Sequence, residues 1–226
     1  MTEGVLYIGQ RRYSSWSMRG WLAVRLAGLD VDVRVLKFTR PGPTKAISEI
    51  SPNGLVPFLE HNGARVWESL AICDYCAEVA PSLWPAERVA RAHARSMSAE
   101  MHAGFRDLRM AMWMNLGRDY AGLGRTPGAL QDIARIEALW AETRTRFGGG
   151  GQFLFGASLG AADAMFAPVV ARFLGWKPEV SDATTAYCEA VRAHPLVAEW
   201  YDGAAAEPVE WLVEDYERMP AAERHV

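Results

Sequence analysis

Cysteine is scarce: the 226-residue chain has three, and three thiols cannot all pair with one another. That excludes a disulfide-stapled scaffold. Two of the three, Cys73 and Cys76, form a Cys-x-x-Cys, but the apolar spacing around them places both a turn or more inside a helix. Thiols are activated at an electropositive helix start, so these are read as free thiols and not as a redox pair. Neither charge sign dominates, with 24 Lys+Arg against 27 Asp+Glu and a formal net charge of -3. Such a balance supplies no basic field, and no nucleic-acid partner is expected. No stretch reaches the roughly 18 apolar residues of a membrane span, so no membrane partner is expected either. A charged leader with an apolar run and a cleavage site is also missing, which points to the cytoplasm. The five histidines fall at no metal-ligand spacing, and no metal is expected.

What is present is an ordinary apolar share, 50%, in a chain long enough for one large or two small domains. The first eighty residues alternate short strands and helices. Val5–Gly9 reads as a strand, residues 16–27 as a helix closed by Gly28, and Val31–Phe38 as a strand of alternating apolar and charged residues. Such a unit normally forms a right-handed crossover between parallel strands. A short helix is expected after Pro41 and Pro43. Residues 57–60 and 64–67 flank His61-Asn62-Gly63, a strong hairpin signal, and Ser69 opens a helix that stops before Pro81.

Beyond Pro85 the period changes. Ala94, Met97, Met101, Phe105, Leu108 and Met112 recur every three or four residues, which predicts one face of a single long helix. Further helices are predicted near residues 127–147, 161–174, 182–193 and 195–205, the first stopped by Gly148–Gly151. The predicted class is α/β followed by all-α: residues 1–80, a turn over Ala80–Pro85, and residues 86–226.

The informative segment runs from Ser51 to Ile72. A proline opening a hairpin strand donates no ladder bond, and an X-Pro bond at such a turn is where a cis peptide occurs. If Val56-Pro57 is cis, the N–H and C=O of Val56 face outward as an edge on which a peptide adds itself as a strand. Glu68-Ser69 falls where a strand yields to a helix. There the hydroxyl and the helix amides can grip a carboxylate while Glu68 grips an ammonium. Together these describe a site for the amino-acid end of a small peptide, although each alone has a plainer reading as a helix start or a trans Val-Pro.

At these residues the chain resembles the cytosolic glutathione transferases over nearly its whole length: a thioredoxin-like amino-terminal domain with cis-Pro and Glu-Ser, then an all-helical domain. Tyr13-Ser-Ser-Trp-Ser-Met-Arg19 is similar to the zeta-class pattern of paired serines, Cys, and Ser-x-Arg. Gly160-Ala-Ala-Asp163 with Pro168 is similar to the family's buried helix start, with Gly160 where a capping Ser or Thr is usual, so that more of the capping falls to Asp163. The resemblance implies glutathione as co-substrate, held by Lys45, Val56, Pro57, Glu68 and Ser69, with a small-molecule electrophile and a homodimer. It also implies Ser14 at the sulfur, with Ser15 in reserve; either serine also suits a plain helix cap. Leu55 stands where many relatives carry Lys or Gln, and Arg11, Arg12, Arg40 or Lys45 could replace that contact. Trp16 stands at the zeta-class Cys, which counts against an isomerase of the maleylacetoacetate type. The implied activity is transfer of glutathione to an electrophile. An isomerase, or a non-catalytic binder on the same fold, is the alternative.

The electrophile is expected between the turn Arg12–Trp16 and the first long helix of the second domain. Met101, Phe105, Leu108 and Met112 belong to the core stripe. One step off it, His102, Arg106, Arg109 and Trp113 recur at helical spacing and would share a neighbouring face. With Trp16 they suit a substrate with an apolar body and an anionic group, since Arg pairs a carboxylate bidentately. The plainer reading of the same residues is a solvated basic face.

Overall fold

The computed structural model describes residues 2–39 and 43–218; Arg40 and Pro41 lie outside them. Strand β1 (Gly4–Gly9), helix α1 (Ser15–Ala27) and strand β2 (Val31–Leu36) form the expected unit, with β1 and β2 parallel. Gly28 closes α1 in the left-handed conformation, φ 68°, which glycine adopts without steric cost. A four-residue helix α2 (Lys45–Ser48) precedes strands β3 (Phe58–His61) and β4 (Ala64–Trp67). Asn62 and Gly63 both have positive φ, as a two-residue hairpin of the favoured hand requires. The sheet order is β2-β1-β3-β4, with β3 antiparallel to both its neighbours. This is the thioredoxin-like arrangement.

Helix α3 (Ser69–Val79) packs on α1 and carries Cys73 and Cys76, both fully buried and free. Burial pushes both thiols up, so neither is a nucleophile at neutral pH. Helix α1 also lies close to the hairpin: a Cβ at Gly20 would come within 2.8 Å of the Pro57 ring, so glycine permits this approach.

Among the described residues the elements that follow are helical, apart from an isolated bridge at Phe153 and Gly156. The predicted single long helix is a correction: it is two, α4 (Arg88–Ala103) and α5 (Arg106–Ala111). Gly104 interrupts the first, and Phe105 adopts φ 58°, which turns the chain out of helical register. The six stripe residues are buried all the same, since the break bends the chain around one core. Then follow α6 (Pro127–Phe147), α7 (Ala161–Trp176), α8 (Asp182–Ala193) and α9 (Pro195–Ala205), close to the predicted ranges, and a short α10 (Glu214–Glu217). Helix α7 is buried on nearly all sides and packs against α1, α4 and α8, so α1 is shared between the two halves of the molecule.

Candidate active site

The end of β1 and the start of α1 present the serines. Ser14 caps α1, its Oγ accepting from the Ser17 amide at 3.4 Å, so the helix-cap reading holds for it. Its hydroxyl also lies 2.7 Å from the Ser17 hydroxyl, which accepts the Gly9 amide at 2.9 Å. Each hydroxyl has one rotatable proton. Ser14 donates to Ser17, whose oxygen also accepts the Gly9 amide; when the Ser14 proton rotates to another acceptor, Ser17 can donate to Ser14 in its place. Ser15 is half-buried, and among the described residues no side-chain hydrogen bond is made by its hydroxyl.

Across from this turn, the Val56-Pro57 bond is cis. Among the described residues neither the N–H nor the C=O of Val56 has a hydrogen-bond partner. Glu68 follows at φ 67°, an unusual conformation for a residue other than glycine. It places the carboxylate beside the start of α3, where Ser69 is fully buried and its hydroxyl has no partner among the described residues. Unsatisfied helix amides lie at the same point. Asn53, for which the sequence suggested no role, joins the two segments: its Oδ1 accepts from Ser51 and from the Leu55 amide, and its Nδ2 donates to Glu68 at 3.1 Å.

The second Glu68 oxygen lies 3.5 Å from Nε2 of His102 on α4. Burial lowers the His102 pKa, and the nearby Arg19 and Arg109 lower it further against the pull of Glu68, so this is a polar contact to a neutral imidazole at pH 7. His102 meets the Trp16 ring edge-on at 5.2 Å. The guanidinium carbons of Arg19 and Arg109 lie 4.5 and 4.7 Å from the same ring. Arg19, from the Ser-x-Arg motif, is fully buried and donates through Nε to the Met165 carbonyl of α7. Burial, with Arg109 and Arg172 nearby, lowers its pKa well below the ordinary value. Three polar atoms of this cluster are buried and without a partner among the described residues: the donors Arg19 Nη1 and Arg109 Nε, and His102 Nδ1, an acceptor when Nε2 carries the proton toward Glu68.

Other expected residues fall elsewhere. The break at Gly104 separates His102 from Arg106, Arg109 and Trp113, so these four do not share one helix face. Arg109 folds back and donates through Nη2 to the carbonyls of Met101 and His102, closing the carboxyl end of α4. Arg106 is exposed, and Trp113 packs on Tyr120 and Trp176 while its indole N–H donates to the Tyr216 carbonyl. Lys45 is exposed and pairs with Glu49. Arg11 lies over Trp21 and Trp200, and Arg12 approaches Glu217. Leu55 is exposed. Among the described residues no group of three or more potential metal ligands converges, and no helix is long and apolar enough to cross a membrane.

Two family models match the chain: the glutathione S-transferase N-terminal domain over residues 13–79, and the glutathione S-transferase C-terminal domain over residues 86–203. Among curated proteins, a probable maleylacetoacetate isomerase of Caenorhabditis elegans is 28% identical over 169 residues, 74% of this chain and 77% of that protein. The maleylacetoacetate isomerase of Rattus norvegicus is 25% identical over 80% and 83% of the two chains. Among solved structures, a glutathione transferase homolog from Burkholderia with bound glutathione superposes with TM-score 0.69 at 23% identity, covering 91% of this chain and all of its own. A diazinon-metabolizing glutathione S-transferase of Bombyx mori gives TM-score 0.69 at 16% identity over 90% and 97%. Both halves of the chain match in the family's order, on the family's fold, and the chain belongs to the glutathione S-transferase family.

Proposed function

We propose that this chain is a glutathione-dependent transferase of serine type that joins the glutathione sulfur to a small electrophile. The observation that carries this reading is the grouping of polar groups that match the amino-acid end of a peptide: the Val56 main chain and the Ser69 hydroxyl, without partners among the described residues, beside the Glu68 carboxylate held by Asn53. Val56 offers both main-chain groups to the cysteinyl residue, Glu68 takes the ammonium, and Ser69 with the α3 amides takes the γ-glutamyl carboxylate. The thiol gives its proton to solvent, and Ser14 donates a hydrogen bond to the sulfur left behind. The sulfur lone pair then forms the bond to carbon, and the electron pair displaced from that carbon leaves with a halide, opens an epoxide, or enters an enone.

Glu68→Ala is expected to weaken glutathione binding by about 1.5–3 kcal/mol, the worth of a hydrogen bond to a charged group. Calorimetry checks this, and unchanged affinity would remove Glu68 from the site. Retention on immobilised glutathione combined with turnover of a panel of aryl halides, epoxides and enones tests the function itself. Retention with no turnover of any kind would leave a binding protein. A second reading, a glutathione-dependent isomerase, is supported by the maleylacetoacetate isomerases among the relatives. Trp16 at the position of the zeta-class Cys weighs against it.

The electrophile belongs beside Trp16, where Arg109 Nε and His102 Nδ1 have no protein partner among the described residues. An apolar body against the indole and an anionic group toward Arg109 fit those groups. Arg109→Ala is expected to raise KM for acidic electrophiles more than for neutral ones with glutathione affinity unaltered; an equal effect on both kinds would sink this assignment. The chain is also proposed to pair as a homodimer in the cytoplasm. Light scattering is expected to give about 50 kDa, twice the 25.0 kDa chain, and a monomer at micromolar concentration would count against it.

A further inference from the structure

The turn that delivers Ser14 is held from an unexpected direction. Within residues 10–14 the only main-chain bonds are those of Tyr13 and Ser14 to the Gln10 carbonyl. The Arg12 carbonyl accepts the Leu116 amide, the Arg11 carbonyl accepts the Trp200 indole N–H, and the Gln10 side chain accepts the Phe38 amide. Further contacts of the turn come from a segment about 200 residues away. The Glu207 carboxylate accepts the amides of Arg11 and Arg12 at 2.5 and 3.3 Å, and the Gln10 side chain donates to the Trp211 carbonyl. Tyr13, adjacent to Ser14, donates its hydroxyl to Glu217 at 2.6 Å, accepts the Val213 amide at 3.3 Å, and stacks on Tyr216 with ring centres 5.2 Å apart.

This segment is itself anchored on the second domain. Asn115 and Arg118 donate to the Glu217 carboxylate at 3.0 and 2.7 Å, and the Tyr216 carbonyl accepts from Trp113, Asn115 and Tyr120. Residues 207–217 lie beyond the stretch that the family's C-terminal model matches, which ends at 203. The strap is therefore a feature of this chain that the family match does not describe.

We propose that residues 207–217 are a working part of the active site, with Glu217 and Glu207 as positioning residues that fix the Ser14 hydroxyl through Tyr13 and the backbone of Arg11 and Arg12. The proposal rests on the reading that Ser14 faces the glutathione sulfur. A hydrogen bond to a thiolate weakens steeply with distance and angle, so the donor must be held to within about half an ångström. Helix α1 fixes one side of Ser14. The strap fixes the other, through one carboxylate on two successive amides and a second on the neighbouring tyrosine.

The test uses full-length wild type, Tyr13→Phe, Glu217→Gln and Ser14→Ala. The thiolate absorbance of bound glutathione is followed against pH, with glutathione affinity from calorimetry and Tm in parallel. Tyr13→Phe and Glu217→Gln are expected to raise the apparent thiol pKa by about half a unit or more, a threefold fall in the ratio of thiolate to thiol, with affinity within about twofold of wild type. A merely structural tie would lower Tm and leave the thiol pKa in place. If Ser14→Ala raises the thiol pKa and the two strap variants do not, the strap proposal fails while the Ser14 reading stands. If Ser14→Ala also leaves it unmoved, the Ser14 reading fails and takes the proposal with it. Should Glu217→Gln not fold, Tyr13→Phe removes a single hydroxyl and decides the same question.

Discussion

Asp163→Ala is expected to cost roughly 3–5 kcal/mol of unfolding free energy, because it leaves several buried donors unsatisfied at once, each worth about 1–3 kcal/mol. The carboxylate at the start of α7 accepts the Leu154 amide at 3.0 Å and the Tyr187 hydroxyl at 2.9 Å through one oxygen, and the Gly160 amide at 3.0 Å through the other. Gly160 has no side chain to cap α7, and a Cβ there would stand a tight 3.0 Å from the Leu83 carbonyl oxygen, so Asp163 supplies the side-chain acceptor at this helix start. Burial outweighs the three donors and pushes the Asp163 carboxyl up to about 6. A carboxyl whose folded pKa is raised contributes stability that is complete below the unfolded value and is lost as pH rises through the folded one. Asp163→Asn has no such titration. The stability advantage of wild type over Asp163→Asn is therefore expected to shrink by roughly 2–3 kcal/mol between pH 4 and pH 7. Denaturant titrations of both proteins across that range measure it, and a constant difference would show that Asp163 is ionised throughout.

Ser14→Ala is expected to lower turnover about 10- to 100-fold and to raise the apparent pKa of the bound thiol, which stopped-flow rates against pH would record. A free thiol titrates near 8.5, so being mostly ionised at neutral pH needs a shift of about two units, or about 2.7 kcal/mol. One hydroxyl donating to a charged sulfur is worth about 1.5–3 kcal/mol, and a helix start adds about 0.3–1 kcal/mol. The sum suffices without a general base. Two features favour Ser14 over Ser15 for this work. Its oxygen is held by Ser17, which also accepts the Gly9 amide, and it sits at the cap of α1, at the positive end of the helix. Ser15→Ala is expected to do less; the reverse ranking would transfer the role.

The amino-terminal half was legible because its signals are local. Gly28 ends α1, Asn62-Gly63 makes the hairpin, and the dipeptides Val56-Pro57 and Glu68-Ser69 mark the proposed peptide site within one short stretch of chain. The role of Asp163 was legible for the same reason, since a glycine at the cap leaves the acid three residues later as the near acceptor. The long helix of the second domain was misread because its apolar stripe continues through the break. Burial conserves the spacing whether or not the backbone stays helical, and the Gly104-Phe105 turn leaves no mark on that period.

Composition, periodicity and short motifs by themselves determined the class of fold, the order of the elements in its amino-terminal half and the segment proposed to hold the peptide, because each of these is decided by residues near one another in the chain. Tertiary structure alone decided which side chains stand around Trp16 and what holds the turn before Ser14. Arg19 reaches α7, Arg109 turns back to close α4, Asn53 bridges to Glu68, and Glu207 and Glu217 return from the far end of the chain. Each of these is a hydrogen bond between groups brought together by packing, and a polar side chain satisfies whichever donor or acceptor the core places beside it. No spacing in the sequence encodes that choice.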